Sequence, residues 1–576
     1  MQRAQPLAQQ RFPALLSAAI AIAALAGLVF WLDPWLTLEF ELLTLALNTG
    51  PVAIVFALLV AICRRIWPAA LLTGLLLGLL FHINAVKLEE LHQPLLLSDA
   101  LLLPQVVGNM ALFARYGLSV LLIMGLALAI AALALAFKLE RPKFGLIGSI
   151  AMAVPALALL ALLRTPAVSA VFANQGGLDT PWSPIKSVES SGLIAALAAS
   201  MNAKLRVIPE RQSQQANQLR EILGITASPE SDSQDRPDVV IILSESFFDP
   251  GIIEGVDQCE TLPRWCQLTA NSLSGSMLVP TYGGNTTRTE YEVLTGVPYS
   301  VLPDGVYPYT SIVTRQTASL ASWLRSLGYR TSAIHPHTGS FWQRNIAFPL
   351  MGFDTFISEE NFGPHQRAGY YISDKDLTDR IAKKLGDDSD APQFIFAISM
   401  ENHGPWADQR PYVDTDRLTR MPAPSQLSEP AAFTWRQYIY HARNSMRELE
   451  RLQALIEQRD KPTLVIFFGD HLPSLPQVFN EIEFSNGEDA HTQAVPYLAL
   501  SNFQMTATAW MPERSYQLAN WTLALANLPK PRALEDLSAA YEHIANEGEF
   551  QPNIHNKIEA LYLEALYENP TDWDAH

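Results

Sequence analysis

Apolar positions along this chain follow two different rhythms. Ala14–Leu32, Thr44–Cys63, Ile66–His82, Gly117–Phe137 and Phe144–Leu163 are nearly uncharged stretches, each close to the roughly 20 residues a helix needs to cross a bilayer. Their succession predicts five membrane spans within residues 1–165. The first stretch runs into Trp31-Leu32-Asp33-Pro34-Trp35 rather than into small residues, so it reads as a retained anchor and not as a cleaved signal. Pro94–Phe113 is apolar too, but Asp99, Pro104 and Asn109 interrupt it. It reads as an interfacial or re-entrant segment.

After Pro237 the apolar runs shorten and alternate with amphipathic stretches. Strands are predicted at Val239–Leu243, Thr331–Ile334, Phe394–Ile398, Leu464–Phe468 and Tyr497–Leu500, and helices near Glu290–Thr295, Ser319–Leu327 and Thr434–Glu457. In the last of these Trp435, Ile439, Ala442, Met446, Leu449 and Leu452 recur at three- and four-residue intervals, as a helix packed on a sheet requires. The fold class expected is a polytopic α-helical membrane domain followed by an α/β layered domain with a largely parallel central sheet. Four parts result: 1–165, the five-span domain; 166–236, a juxtamembrane helical connector; 237–540, the catalytic domain; and 541–576, a helical tail.

Charge orients this arrangement. Arg3 and Arg11 precede the first span, Arg64-Arg65 separate the second and third, and Lys138, Arg141 and Lys143 separate the fourth and fifth. The positive-inside rule places these regions, and the amino terminus, in the cytoplasm. Five spans then export everything after residue 165, whereas a crossing by 94–113 would keep it inside. The net charge of −17 argues against a nucleic-acid partner. Cys259 and Cys266 lie in the exported part, where a small-loop disulfide and two free thiols both fit their spacing.

The chemistry is expected where the apolar runs end. Leu464–Gly469 is followed by Asp470-His471, and Val239–Leu243 by Ser244-Glu245-Ser246. Open α/β sheets place their ligands at the carboxyl ends of strands, so two carboxylates and an imidazole can converge there on one divalent cation. Between the first strand and its helix runs Pro280-Thr281-Tyr282-Gly283-Gly284-Asn285-Thr286-Thr287-Arg288-Thr289-Glu290-Tyr291. Thr286 at a helix start fits a metal-activated nucleophile. Read by itself, Thr286 or Thr287 equally fits an N-cap, with Glu290 near the capping-box position.

With their flanks these residues resemble the lipoteichoic acid synthase and periplasmic phosphoglycerol transferase family, on the alkaline phosphatase and sulfatase fold. The resemblance implies that Glu245, Thr286, Asp470 and His471 hold a divalent metal, usually manganese in the family, with zinc and magnesium also suiting the donor set less decisively, and that Thr286 is the nucleophile. In the family the nucleophile lies four positions before a Glu-aromatic pair, here Glu290-Tyr291. The run Phe341-Trp342-Gln343-Arg344 matches the family's headgroup motif, which implies that Trp342, Arg344 and the upstream His335 contact glycerol phosphate, Arg344 bonding the phosphate bidentately. His403, in Met400-Glu401-Asn402-His403-Gly404, matches a family His at the transferred group.

The resemblance further implies a phosphatidylglycerol donor, a bacterial inner-membrane location with the catalytic domain periplasmic, and an envelope glucan or polyglycerolphosphate acceptor. A phosphoethanolamine transferase shares this outline but usually carries several disulfides. A sulfatase needs a Cys/Ser-x-Pro-x-Arg frame, which is absent here. A sulfatase-like phosphodiesterase and a headgroup-binding sensor or scaffold are the other readings.

Overall fold

A computed structural model describes residues 7–36, 42–91, 93–102, 120–163, 165, 184–200 and 236–539, except 303–305, 388–389, 507, 509 and 533. The chain divides into two compact units that part between Arg206 and Val207. The expected tail 541–576, residues 166–183 and 201–235 of the expected connector, and residues 103–113 lie outside the described residues.

In the first unit four helices, Pro13–Leu32, Leu42–Cys63, Ile66–Glu89 and Leu146–Leu163, are long and apolar enough to cross a membrane. The fourth expected span is the helix Val120–Leu139, which contributes the shorter apolar stretch Ala127–Leu139. The two inner basic connections sit together. Arg64 Nε donates to Phe144 O (2.8 Å) and Arg65 Nε to Glu140 O (2.7 Å), while the Glu140 carboxylate accepts the Ile66 and Trp67 N–H groups (3.3 and 2.8 Å), satisfying donors a helix start leaves open. Of the segment 94–113, the described part forms a 3₁₀ turn, Leu97–Leu102, tied back by Asp99 to Lys87 at 2.6 Å.

The helix Leu193–Ser200, expected in the connector, is packed into this unit's core. Asp33 accepts the Leu193 N–H (2.8 Å), and Asn48 accepts from Ala195 N (3.0 Å) while donating to Ser191 O (2.6 Å). Buried polar side chains thus close the backbone groups that this helix start would otherwise leave unpaired.

The second unit is built on nine strands: β1 Asp238–Ser244, β2 Leu273–Met277, β3 Arg330–Ile334, β4 Thr355–Ile357, β5 Arg367–Ala368, β6 Tyr371–Ile372, β7 Gln393–Ile398, β8 Thr463–Gly469 and β9 Val495–Ser501. Seven form one sheet in the order β2-β9-β8-β1-β7-β3-β4, and β5–β6 form a separate hairpin. β1 pairs in parallel with β7 and β8, and β3 with β7 and β4, while β9 and β2 run antiparallel at one side. Every residue of β1, β7 and β8 is buried, which is why these central strands read as unbroken apolar runs rather than as alternations. The 29-residue helix Glu429–Glu457 buries Trp435, Ile439, Ala442, Met446, Leu449 and Leu452 in the core that covers the sheet. Cys259 and Cys266 form a disulfide.

Candidate metal centre and active site

Strand register assembles the centre. Ser244 of β1 lies opposite Gly469 of β8, so the next residues, Glu245 and Asp470, leave the sheet side by side at its carboxyl edge. The approach is close: a Cβ on Gly469 would lie 1.9 Å from Phe247 O. Ser246 turns the chain with φ +53° and donates its N–H to Asp470 Oδ1 (2.7 Å), which also accepts His471 N–H (3.0 Å). Glu245 N–H donates to Ser399 Oγ beyond β7 (2.9 Å).

One ligand atom from each of Glu245, Asp470 and His471 lies within 4.8 Å of the others. His471 Nδ1 sits 2.9 Å from Leu472 O. A carbonyl only accepts, so Nδ1 carries the proton and Nε2 keeps a lone pair. That Nε2 is 3.2 Å from Asp470 Oδ2 and 3.7 Å from Glu245 Oε1. Both His471 Nε2 and Asp470 Oδ2 are buried without a hydrogen-bond partner, an arrangement that a cation between them would satisfy. Burial first, and the Asp470 carboxylate second, push Glu245 up to about 8. Two buried carboxylates and an imidazole lone pair fit a divalent cation.

Thr286 is buried at the start of the helix Thr287–Thr295. It follows Asn285 at φ +61°, and its side chain makes no capping hydrogen bond. Thr286 therefore stands at the N-cap position without capping through its side chain, and Thr287 Oγ1 is unpartnered. Gly283 N–H donates to Leu472 O (3.0 Å) and Thr289 Oγ1 to Asp470 O (2.9 Å), stitching the Thr286 loop to the loop bearing the metal ligands.

The expected headgroup residues follow β3. His335 is buried, with Nδ1 3.4 Å from Ile398 O and Nε2 unpartnered. Trp342 and Gln343 both adopt left-handed backbone angles, φ +56° and +58°, and the indole packs 4.7 Å from the Tyr307 ring. The buried Arg344 gives one edge of its guanidinium to Glu290, and its Nη1 still carries two N–H groups for the phosphate contact that the resemblance implies. Its Nε (3.2 Å) and Nη2 are taken by Glu290, and Nη1 is the nitrogen left without a partner. Burial, then the Arg344 charge, hold His335 well below the usual imidazole range. His403 is half-buried beyond β7 and is also pushed down, by burial first.

A family model described as Sulfatase matches residues 237–527, half of the chain. This chain belongs to the sulfatase family. Its domain lies in the alkaline phosphatase and sulfatase superfamily, and it shares a fold with the Streptococcus pyogenes phosphoglycerol transferase GacH in complex with sn-glycerol-1-phosphate, at a TM-score of 0.51 and 19% identity over 63% of this chain and 94% of that one. A Rhizobium meliloti protein assigned to cyclic beta-1,2-glucan modification is 33% identical over 44% of this chain and 38% of its own length. The capsular polysaccharide biosynthesis protein RkpI of the same organism is 31% identical over 45% of each chain. The matches thus span less than half the length of these two relatives.

Several residues at the edge of this sulfatase-family sheet escaped the motif reading. Tyr309 donates to Glu290 (3.0 Å) beneath Arg344, Ser399 holds Glu245, and Tyr371 reaches His403. His337 packs its ring 4.8 Å from Phe341, and burial pushes it down to about 4. Glu401, passed over in sequence, accepts from His441 Nδ1 (3.0 Å) and from Asp374 N–H (2.9 Å), anchoring the loop that carries His403.

Proposed function

We propose that this protein is a membrane-anchored phosphoglycerol transferase that moves sn-glycerol phosphate from phosphatidylglycerol to a cell-envelope glycan through a phosphothreonine on Thr286. The observation that carries the reading is the stitched pair of loops: Thr286, whose side chain makes no capping hydrogen bond, lies in the segment that Gly283 N–H and Thr289 Oγ1 tie to the loop bearing Asp470 and His471. Glu245, Asp470, His471 and the Thr286 hydroxyl would hold the ion, with manganese the expected metal. When bound, the cation lowers the hydroxyl pKa and polarises the phosphoryl group.

Thr286 attacks phosphorus, diacylglycerol leaves, and an acceptor hydroxyl then displaces the threonine. Arg344 Nη1, buried and unpartnered, is the donor expected to meet the phosphoglycerol oxygens, while His335, whose Nδ1 faces the Ile398 carbonyl, turns a bare Nε2 that can accept from a glycerol hydroxyl, with Trp342 walling the glycerol. His403 is expected to shuttle the proton at the transferred group. The assignments of the two Rhizobium relatives to glucan modification and capsular polysaccharide synthesis support a glycan acceptor over a polyglycerolphosphate chain. The apolar helices support a lipid donor, since an anchored site meets its substrate within the membrane plane. The basic connections and the disulfide support an inner-membrane protein with the catalytic domain in the periplasm.

The test is headgroup turnover by purified protein in detergent with Mn²⁺, phosphatidylglycerol and phosphatidylethanolamine supplied separately. Diacylglycerol should appear from phosphatidylglycerol alone and vanish in Thr286→Ala. Release from phosphatidylethanolamine would instead make the protein a phosphoethanolamine transferase, and release from neither lipid would remove the reading.

A further inference from the structure

The β5–β6 hairpin lies against the loop that follows β7, and its Tyr371 hydroxyl makes two contacts there. It is 3.2 Å from Gly404 O and 3.2 Å from His403 Nδ1, and that same Nδ1 lies 3.0 Å from Gly404 O. A carbonyl oxygen has no proton to give. Nδ1, facing the carbonyl, must therefore carry the imidazole proton. The phenol gives its single hydrogen to the carbonyl and turns a lone pair toward the ring. One consistent set of bonds remains, and it leaves His403 Nε2 bare.

The hairpin is held in this place. Arg410 is buried, its guanidinium 5.6 Å from the Tyr370 ring centroid, and its Nη2 donates to Glu401 O (3.1 Å) two residues before His403. Gly369, at φ +66°, lets the backbone pass so close that a Cβ would lie 2.5 Å from Arg410 Nε. Arg410, Arg344, Asp470, His335 and His337 are the charged and titratable groups within electrostatic reach of His403 besides Tyr371. Burial and the two guanidinium groups favour the neutral ring, and Asp470 opposes them.

We infer that Tyr371 is a positioning residue that locks His403 in the Nδ1–H tautomer, so that Nε2 is the base for the acceptor hydroxyl. This rests on the function proposed above. In that half-reaction the acceptor oxygen bonds to phosphorus, the bond from phosphorus to Thr286 Oγ breaks with its electron pair leaving on Oγ, and the acceptor's proton passes to Nε2. The imidazolium so formed returns that proton to the released Thr286 Oγ, and in the next donor step the Thr286 proton passes by way of Nε2 to the departing diacylglycerol alkoxide, so the cycle closes without a co-reactant and the resting Nε2 is bare. His335 and His337 make no such paired contact with a phenol and a carbonyl, which sets His403 apart.

The experiment uses the full chain in detergent with Mn²⁺ and ring-¹⁵N histidine, with His403→Gln to assign the signal. The wild-type His403 ring should be protonated at Nδ1 and bare at Nε2. An Nε2–H ring would overturn the inference. In kinetics, Tyr371→Phe should lower kcat roughly tenfold, part of the ~10²–10⁴ that a positioned acid–base group supplies, with the donor KM unchanged. The same substitution should cost nothing further in a His403→Gln background. An equal loss in both backgrounds would make Tyr371 merely structural and overturn the role. If no lipid headgroup is released at all, the proposed function fails, and the tautomer is still decided by the nitrogen spectrum.

Discussion

Arg344 and Glu290 form a buried ion pair at the floor of the site, the carboxylate engaging both Nε and Nη2 of the guanidinium. Glu290 stands four residues beyond Thr286 on the helix that Thr286 begins. One carboxylate therefore sets the distance between the helix of the proposed nucleophile and the cation expected to meet the phosphate. Its second partner, Tyr309, leaves it no freedom to swing away.

Glu290→Gln keeps the volume but leaves Arg344 without its counter-charge. Removing one partner of a buried pair costs about 3–5 kcal/mol, so thermal unfolding of the purified variant should begin well below that of wild type. Diacylglycerol release should fall with it. A variant as stable and as active as wild type would show that the pair does not organise the site.

Glu292, two residues further, carries a pH signature. Burial pushes it up to about 7 from 4.5, against the opposing pull of Ser515 and the Tyr299 N–H. The folded protein thus holds a proton that the unfolded chain releases between these values. The stability this supplies is complete below pH 4.5 and is lost as pH rises through 7, on the order of 3 kcal/mol in all. Wild type should lose stability relative to Glu292→Gln between pH 5 and pH 8 in urea unfolding, and parallel curves would contradict the assignment.

Metal binding should be visible without catalysis. A ligand that binds only the folded state adds about 2.7 kcal/mol at a hundred times its dissociation constant, so Mn²⁺ should raise the Tm and a chelator should reverse the rise. Asp470→Ala should abolish the response while Thr286→Ala keeps most of it, because the threonine supplies one oxygen and no charge. An unchanged Tm in Asp470→Ala with Mn²⁺ relative to wild type with Mn²⁺ would place the ion elsewhere.

The thiols report on location. Cys63 is the free cysteine and Cys259 is bridged to Cys266. A denatured, unreduced preparation from growing cells should take up one maleimide per chain, rising to three after reduction, given three cysteines in all. Three labels before reduction would signal a reducing compartment and a cytoplasmic catalytic domain.

Much of this architecture was legible because burial writes it directly into residue type. β1, β7 and β8 are covered on both faces, so they read as apolar runs, and those of β1 and β8 lead straight to the candidate ligands Glu245 and Asp470-His471. β2, Leu273-Ser274-Gly275-Ser276-Met277, escaped notice because an edge strand with small residues has neither an apolar run nor an alternation. The helix Asp374–Leu385 did carry a signal, Leu377, Ile381 and Leu385 behind the Ser373 cap, that went unused. The clamp of Arg344 by Glu290 was hidden for a different reason. It joins residues 54 apart through a loop whose Trp342 and Gln343 take left-handed angles, and no local pattern announces where such a loop will point. The packing of Leu193–Ser200 among the apolar helices was hidden likewise, because Asp33 and Asn48 read as ordinary polar residues until their partners were known.

The register of β1 against β8 also dictates a timetable. Glu245 emerges from the ribosome more than two hundred residues before Asp470 and His471, and the three meet only when β8 has settled beside β1. A nascent chain halted short of residue 470 owns Glu245 and Thr286 of the four expected ligands and lacks both Asp470 and His471. Cation supply therefore acts on the finished polypeptide, as a last act of maturation, and starvation for metal should accumulate a folded, empty enzyme rather than a misfolded one.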